Sequence, residues 1–440
     1  MIRSDNTARR VVITGLGVIS PFGNTAEALW DALAGERSAV GPLTNVPGDY
    51  LPTKFAAEAR AFTGSIDDFG PLEGEKKKAI RKGLKVMCRE SQMGVAAAQR
   101  ALGDAGLGDR RVDPERIGIV FGSDYMMTLP EDFTASILRC IDANGNFDFT
   151  RWAVDGMPQL TPLWLLKYLP NMPASHVAIY NDLRGPNNSI TLREASSNAA
   201  VGEAFRTIVR GSADVMLAGA TGTRVHPMKM VHSLTQEEVA GNGTDPSRAS
   251  RPFDLNRSGM VLGEGAGTMV LEELEFAQAR GAKIFGEVVG TASSSVATKA
   301  GVARREAAMV NVMSATLRDA DCKPEDVGHI HAHALSTRSC DEEEARAIHA
   351  VFGARAGKLP ITAAKSYFGN LGAGSGLVEL IASVMALKNR QLFKVLNYDT
   401  PDPMCPLNVC RSQDDPGTSC LNVNVTPQGQ ASAVLIRAWN

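Results

Sequence analysis

The residues SRPFDLNRSGMVLGEGAG at positions 250–267 decide how the fold of this chain is interpreted. Three alternating glycines, Gly263, Gly265 and Gly267, look like part of a dinucleotide-binding fingerprint, but they neither follow a predicted strand nor open a predicted helix. A dinucleotide site is therefore not expected here. We expect these glycines to let other backbone segments approach closely, since glycine has no side chain to obstruct them.

Short apolar runs alternate with amphipathic segments on both sides of this stretch. Before it, the pattern predicts strands at 10–17, 117–121, 190–192 and 213–218, and helices at 26–34, 82–102 and 196–210. After it, the pattern predicts strands at 285–290, 329–334, 361–364, 421–425 and 433–438, and helices at 305–319, 341–352 and 377–388. Such alternation predicts mostly parallel sheets covered by helices. It starts again near Leu274, which favours a duplicated α/β unit: residues 1–274, with an irregular insertion at about 124–184, and residues 275–440.

The overall composition excludes several classes of protein. The chain has 440 residues and a formal net charge of −2, which gives no reason to expect a nucleic-acid partner. Seven scattered cysteines without CxxC or His-paired spacing predict neither a disulfide framework nor a metal site. No apolar run approaches the roughly 20 residues of a membrane span, and the polar first residues do not resemble a signal peptide. A cytoplasmic location is the expectation.

Four segments resemble the β-ketoacyl-acyl-carrier-protein synthases, the KAS I/II-type condensing enzymes of the thiolase superfamily. They are the stretch at 250–267 with its continuation MVLEELEFAQARGAKIFGEVVG, the opening RRVVITGLGVISPFGN, and GSADVMLAGAT at 211–221. The resemblance implies a thiolase-like five-layered αβαβα fold of two duplicated halves, and a dimer. It also implies a site in which a cysteine from the first half, at a helix N-terminus, faces two histidines from the second half.

The nucleophile position of that family falls on Glu194, within ITLREASSNAAVG. A carboxylate cannot keep an acyl group as a stable thioester, so the acyl relay needed for condensation is missing. The alternative to a functional role is that Glu194 is simply a favourable acid at a helix N-terminus. Some family members carry glutamine here, as decarboxylating or non-condensing subunits, and Glu194 is the charged analogue of that change.

The block HAHALSTRSCDEEEA matches the first histidine of the family and places it at His333. A glycine and a threonine of the family pattern are replaced by Ala334 and Leu335. Thr337, a predicted substrate-binding residue, and Glu344, predicted to give structural support, stay in register. A lone histidine is often structural, but the preserved register on both sides favours a place for His333 in the site.

The block AAKSYFGNLGAGSG matches the lysine segment of the family, with Lys365 kept and the second histidine replaced by Asn370. Asparagine can donate a hydrogen bond but cannot carry the positive charge of an imidazolium. Lys365 and Glu194 are a candidate ion pair, because a buried carboxylate needs a partner.

The gating loop of the family corresponds to NVTPQGQAS at 424–432. Thr426 and Gln428 stand at its two phenylalanine positions, and Pro427 replaces a glycine and restricts the backbone. Gln428 is a second predicted substrate-binding residue. The nucleophile, the second histidine and the gating loop all differ from the family pattern. We therefore interpret the site as one that no longer catalyses condensation, or that has a different function.

Three functions follow from this pattern. The first is a non-condensing pseudoenzyme, a chain-length-factor-like partner of an active ketosynthase in fatty-acid or polyketide biosynthesis. The second is an enzyme with altered acyl-thioester chemistry, a decarboxylase or hydrolase using Glu194 and His333, or a residual 3-oxoacyl-carrier-protein synthase. The third is a scaffold that only binds carrier protein.

The expected partners are an acyl carrier protein and either a second copy or an intact ketosynthase. No cofactor is expected beyond the phosphopantetheine arm of the carrier protein. The basic run EKKKAIRKGLK at 75–85 is a candidate carrier-docking helix, and its alternative interpretation is a solvated helix face.

Overall fold

The computed structural model describes residues 9–48, 51–108, 112–243 and 245–439. Its strands are β1 Val11–Ile19, β2 Gly41–Pro42, β3 Phe55–Ala56, β4 Ile117–Ser123, β5 Asn187–Thr191, β6 Val215–Thr223, β7 Glu264–Glu273, β8 Gly286–Ser295, β9 His329–His331, β10 Ile361–Thr362, β11 Ser419–Val425 and β12 Gln430–Ala438. Its α-helices are α1 Ala26–Ala34, α2 Gly74–Gly83, α3 Arg89–Asp104, α4 Pro130–Arg139, α5 Met172–Asn181, α6 Ser196–Val209, α7 Pro227–Gln236, α8 Leu274–Ala279, α9 Arg305–Asp319, α10 Arg338–Phe352, α11 Lys365–Phe368 and α12 Ser375–Asn389.

The strands of the main sheet show an internal duplication. The first half has the order β5-β4-β6-β7-β1 and the second half has the order β10-β9-β11-β12-β8, so each half follows the same path through five strands. The directions of the strand pairs also agree. Counted from the outer edge of each half, the first two pairs of neighbouring strands are parallel and the next two are antiparallel. Strands β1 and β8 join the halves by a short antiparallel pairing. The predicted boundary at 274/275 lies at the start of α8.

Helices divide the molecule into five layers. Helix α6 contacts β4 and β6 of the first half and β8 and β12 of the second, and α12 contacts β7 and β11, so both helices form the middle layer. Helix α3 covers the outer face of the first half, while α9, with α10 packed on it, covers the second half. The α/β, thiolase-like αβαβα arrangement expected from the resemblance is confirmed. In the part of the chain that the structure describes, no helix is long and apolar enough to cross a membrane.

The close approach expected at the glycines of the opening stretch is confirmed. A Cβ atom on Gly263 would lie 2.6 Å from the carbonyl oxygen of Phe368, and one on Gly267 would lie 2.8 Å from the Cβ of Leu377. Both distances are shorter than van der Waals contact. These glycines therefore let the segments around α11 and α12 lie directly against β7, beneath the site.

The helix predicted at 82–102 is wrong in its first part. Helix α2 and a short 3-10 turn end at Val86, Met87 is extended, and α3 begins at Arg89. The backbone N–H of Cys88 donates to the carbonyl of Lys167 (3.3 Å), in the insertion, instead of continuing a helix. The insertion itself contains α4 and α5, and its Trp152 and Trp164 both pack against Phe133.

Candidate functional site

Glu194 lies at the start of the middle-layer helix α6. It belongs to the single turn Arg193–Ala195 that connects β5 to α6, and its side chain is buried. Arg193 adopts the left-handed conformation (φ 50°), which turns the chain sharply into the helix. A helix N-terminus favours negative charge, so the position suits a carboxylate.

The Glu194 carboxylate receives three polar groups from different parts of the fold. The Arg224 guanidinium, directly after β6, donates to Oε1, and Asn370 Nδ2 donates to the same oxygen at 3.0 Å. Arg193 Nε lies 3.6 Å from Oε2. Burial alone would raise the pKa of Glu194, but the charges of Arg224 and Arg193 and the hydrogen bond from Asn370 outweigh it and hold that pKa well below its usual range. The carboxylate is therefore ionised under all ordinary conditions.

A second carboxylate closes this cluster. Glu237, just after α7, accepts from Arg224 Nη1 at 2.9 Å and from Arg193 Nη2 at 2.6 Å. Two acids and two guanidinium groups thus alternate, and these four side chains together carry no net charge. The buried Asp124 adds a further carboxyl group whose charge acts on both arginines. We call Glu194, Arg224, Glu237 and Arg193 the glutamate–arginine cluster.

The predicted pairing of Lys365 with Glu194 is wrong. Lys365 Nζ donates to Glu379 of α12, which also accepts from Asn424 Nδ2 at 2.9 Å and Asn422 Nδ2 at 3.2 Å. The side chains of Lys365 and Glu379 are almost fully buried. Because this second cluster is balanced by itself, the lysine has no charge to offer Glu194.

Asn370 connects the site to the opening stretch of the sequence. Its backbone N–H donates to Val261 (2.8 Å) and its carbonyl accepts from Gly263 (2.9 Å). Its side-chain oxygen accepts from the Gly372 N–H at 2.9 Å, while its amide donates to Glu194. Asn370 is therefore held with a donor toward the carboxylate, and the predicted proximity of Glu194 and Asn370 is confirmed.

His333 follows β9 in a tight loop held by Glu344. The two Glu344 oxygens accept from the backbone N–H groups of His333 and Ala334, each at 2.7 Å. Ala334 has φ 48°, a left-handed conformation that glycine adopts more easily. Burial, helped by the charge of Lys365, lowers the pKa of His333 to about 3, so this imidazole is neutral near pH 7. Burial raises the pKa of Glu344 to about 8.

The two predicted substrate-binding residues lie in different surroundings. Thr337 is buried in front of α10, and its carbonyl accepts from the buried Arg257 Nε at 3.1 Å. Gln428 is exposed in the hairpin turn between β11 and β12, whereas its neighbour Thr426 is buried. Among the described residues no hydrogen bond joins Gln428 to the rest of the site. The substrate-binding roles of Thr337 and Gln428 stay predictions.

Sequence reasoning missed most of the charged residues around Glu194. Arg224 and the buried Asp124 directly follow β6 and β4, and the carboxyl ends of parallel strands meet at one edge of a sheet. The predicted strands ended several residues earlier, so this position becomes a signal only when the true strand ends are known. Glu237 and Glu379 carry no such signal. Within the described ranges, no group of three or more His, Cys, Asp or Glu side chains is arranged to hold a metal ion.

The duplicated αβαβα architecture, with its site at the start of the middle-layer helix, defines a thiolase-fold protein. The family models for the β-ketoacyl synthase N-terminal and C-terminal domains match residues 8–277 and 285–399. A 3-oxoacyl-[acyl-carrier-protein] synthase 2 from Synechocystis is 33% identical over 408 residues, 92% of each chain. The chain belongs to the β-ketoacyl synthase family.

Two solved structures extend this comparison to multi-component systems. AntDE:AntF, a type II PKS acyl-carrier protein in complex with its ketosynthase bound to the hexaketide, has a TM-score of 0.84 at 25% identity, covering 99% of this chain and 100% of that chain. The ishigamide ketosynthase/chain length factor has a TM-score of 0.83 at 25% identity, with the same coverage. The chain is thus similar to a 3-oxoacyl-[acyl-carrier-protein] synthase and to polyketide ketosynthase and chain-length-factor proteins.

Proposed function

We propose that this chain is a non-condensing partner subunit, similar in role to a chain length factor, in fatty-acid or polyketide biosynthesis. The observation that carries the proposal is the glutamate–arginine cluster at the nucleophile position. A carboxylate held by two guanidinium groups cannot serve as an acyl carrier, since transfer to it would form a reactive anhydride in place of a thioester. Residual 3-oxoacyl synthase activity has no thiolate at this position to sustain it.

The alternative, a hydrolase or decarboxylase that uses Glu194 as general base, has less support. A general base works best with a pKa near the operating pH, whereas the pKa of Glu194 is held far below it. His333 is neutral at pH 7 and so lacks the charge that would stabilise an enolate. In these protonation states Glu194 is a weak proton acceptor and His333 has no positive charge to offer.

The surface next to β5 supports the partner role. Strand β5 is an edge strand with β4 on one side, and its Asn187, Asn188 and Thr191 are exposed. The carbonyl of Pro170, in the insertion, accepts from Ser189 of β5, so the insertion lies directly beside this edge strand. That insertion exposes large apolar side chains: Leu138 (66% exposed), Phe149 (74%), Val154 (76%) and Leu163 (65%). An unpaired edge beside an apolar surface suits a second thiolase-fold chain, either a copy of this one or an intact ketosynthase.

Helix α2 suits the docking of an acidic carrier protein. Exposed basic residues follow one another along α2 and the turn after it, and Arg81, Lys82 and Lys85 form no ion pair within the described ranges. The phosphopantetheine arm of such a carrier would bring the acyl group, and this protein would need no cofactor of its own. The cytoplasmic location stays a prediction.

Mass spectrometry of malonyl- and acyl-carrier protein, incubated with this chain alone and with an intact ketosynthase, tests the proposal. We expect no turnover by the chain alone and a changed product length in the mixture. Release of carbon dioxide or free acid by the chain alone would refute the partner role.

The interface is tested with matched variants. Val154→Ser combined with Phe149→Ser should weaken assembly with the ketosynthase in size-exclusion chromatography. Val302→Ser, at an exposed position (61%) outside the insertion, should leave it unchanged. Equal elution of both variants with the ketosynthase would argue against this surface.

A further inference from the structure

The groups that surround Glu194 have the chemistry of a carboxylate receptor. Arg224 and Asn370 both donate to one oxygen, and Arg193 faces the other oxygen at 3.6 Å. These residues come from three separate segments, after β6, after α11 and before α6. Planar guanidinium groups with an added amide donor are the usual protein partners of a carboxylate.

The hydrogen bonds to Glu194 show how strongly this receptor depends on an anion. Without the Glu194 carboxylate, Arg224 Nη2 and Asn370 Nδ2 would lose the acceptor that they share. The two guanidinium groups would keep Glu237, and the charge of the buried Asp124 also acts on both of them. Buried donors left without an acceptor are costly, so the emptied receptor would favour uptake of an anion that replaces it.

We propose that Arg193, Arg224 and Asn370 form a binding site for a small carboxylate, and that Glu194 occupies this site as a ligand tethered to the same chain. The inference goes beyond the partner role, because it holds whether or not the chain assembles with a ketosynthase. The tether gives the internal carboxylate a high effective concentration, so free carboxylic acids do not displace it from the unaltered protein.

The shape of the side chain specifies the test ligand. Glu194→Ala removes the side chain from Cγ onward, a fragment with the heavy atoms of acetate. Glu194→Gly also removes Cβ, and the fragment then has the heavy atoms of propionate. We expect Glu194→Ala to bind acetate saturably in calorimetry, and its unfolding equilibrium constant to fall about tenfold when acetate is at ten times its Kd. Glu194→Gly should accept propionate better than Glu194→Ala does.

Three controls make the test decisive. The unaltered chain and the double variant Glu194→Ala/Arg224→Met should show no acetate binding, and chloride at the same ionic strength should not replace acetate. If Glu194→Ala folds poorly, its soluble yield is compared after refolding in acetate and in chloride. Equal yields, or equal acetate effects with and without Arg224, would overturn the proposal, and neither result would bear on assembly with a ketosynthase.

Discussion

Arg224→Met and Glu194→Gln, made singly and together, test whether the glutamate–arginine cluster acts as one balanced unit. Arg224→Met leaves two buried carboxylates facing Arg193, and Glu194→Gln leaves two guanidinium groups facing Glu237. Removing one partner of a buried pair costs about 3–5 kcal/mol, because the other charge stays behind. The double variant keeps the balanced Arg193–Glu237 pair, whose atoms are 2.6 Å apart. Its cost should therefore stay below about 4 kcal/mol, whereas the two single costs sum to about 6 kcal/mol or more, so the coupling should be about 2 kcal/mol or more.

The assay is urea unfolding of each variant at one fixed protein concentration, since assembly would otherwise shift the midpoint. The exposed pair Arg346–Glu306 is the matched control, with Arg346→Met and Glu306→Gln on side chains that are 47% and 44% exposed. Its coupling should be below about 1 kcal/mol. Additive effects of Arg224→Met and Glu194→Gln, within about 0.5 kcal/mol, would refute the view that the charges compensate each other.

Three further predictions concern the second half of the site. Lys365→Met should cost about 3–5 kcal/mol in urea unfolding, because it leaves Glu379 buried without its cation, while Lys78→Met, in an exposed pair with Glu75, should cost less than about 1 kcal/mol. Folding raises the pKa of Glu344 from its ordinary 4.5 to about 8, so the folded state binds the extra proton and stability should fall as pH rises between these values. Glu344→Gln should remove that part of the slope, up to about 1.4 kcal/mol per pH unit, and an unchanged slope would contradict the assignment. The His333 imidazole should show no titration by NMR between pH 5 and 8, because burial lowers its pKa to about 3.

The alternation of strands and helices was predictable because it depends on local apolar periodicity. The register of the second-half blocks predicted Asn370 in the site, and Asn370 Nδ2 does donate to Glu194 at 3.0 Å. The charge of Glu194 also acts on His333, whose catalytic role stays a prediction. The prediction of one helix over 82–102 was wrong because periodicity does not detect the hydrogen bond between Cys88 and Lys167, which are far apart in the sequence. Element boundaries depend on such distant partners.

The partner of Glu194 was not predictable from the segments that carry the family resemblance alone. Those segments contain Lys365, which made it the natural candidate, while Arg224 lies just beyond the end of GSADVMLAGAT. An isolated arginine gives no periodic signal and no motif. Its position directly after β6 gains meaning only when β4, β5 and β6 are known to end at the same edge.

The two clusters differ from a reactive centre in how their charges are balanced. Catalytic sites hold groups in environments that leave a charge or a proton available to the substrate, and their pKa values are shifted toward the working pH. Here the charge of Glu194 is compensated by Arg224 and Arg193. The charge of Lys365 is compensated by Glu379, and His333 is neutral. Because the loss of either partner would leave a buried charge unpaired, the residues of each cluster must be kept together for the chain to stay folded. In the proposed partner role, the β5 edge and the apolar surface of the insertion are the surfaces that would act.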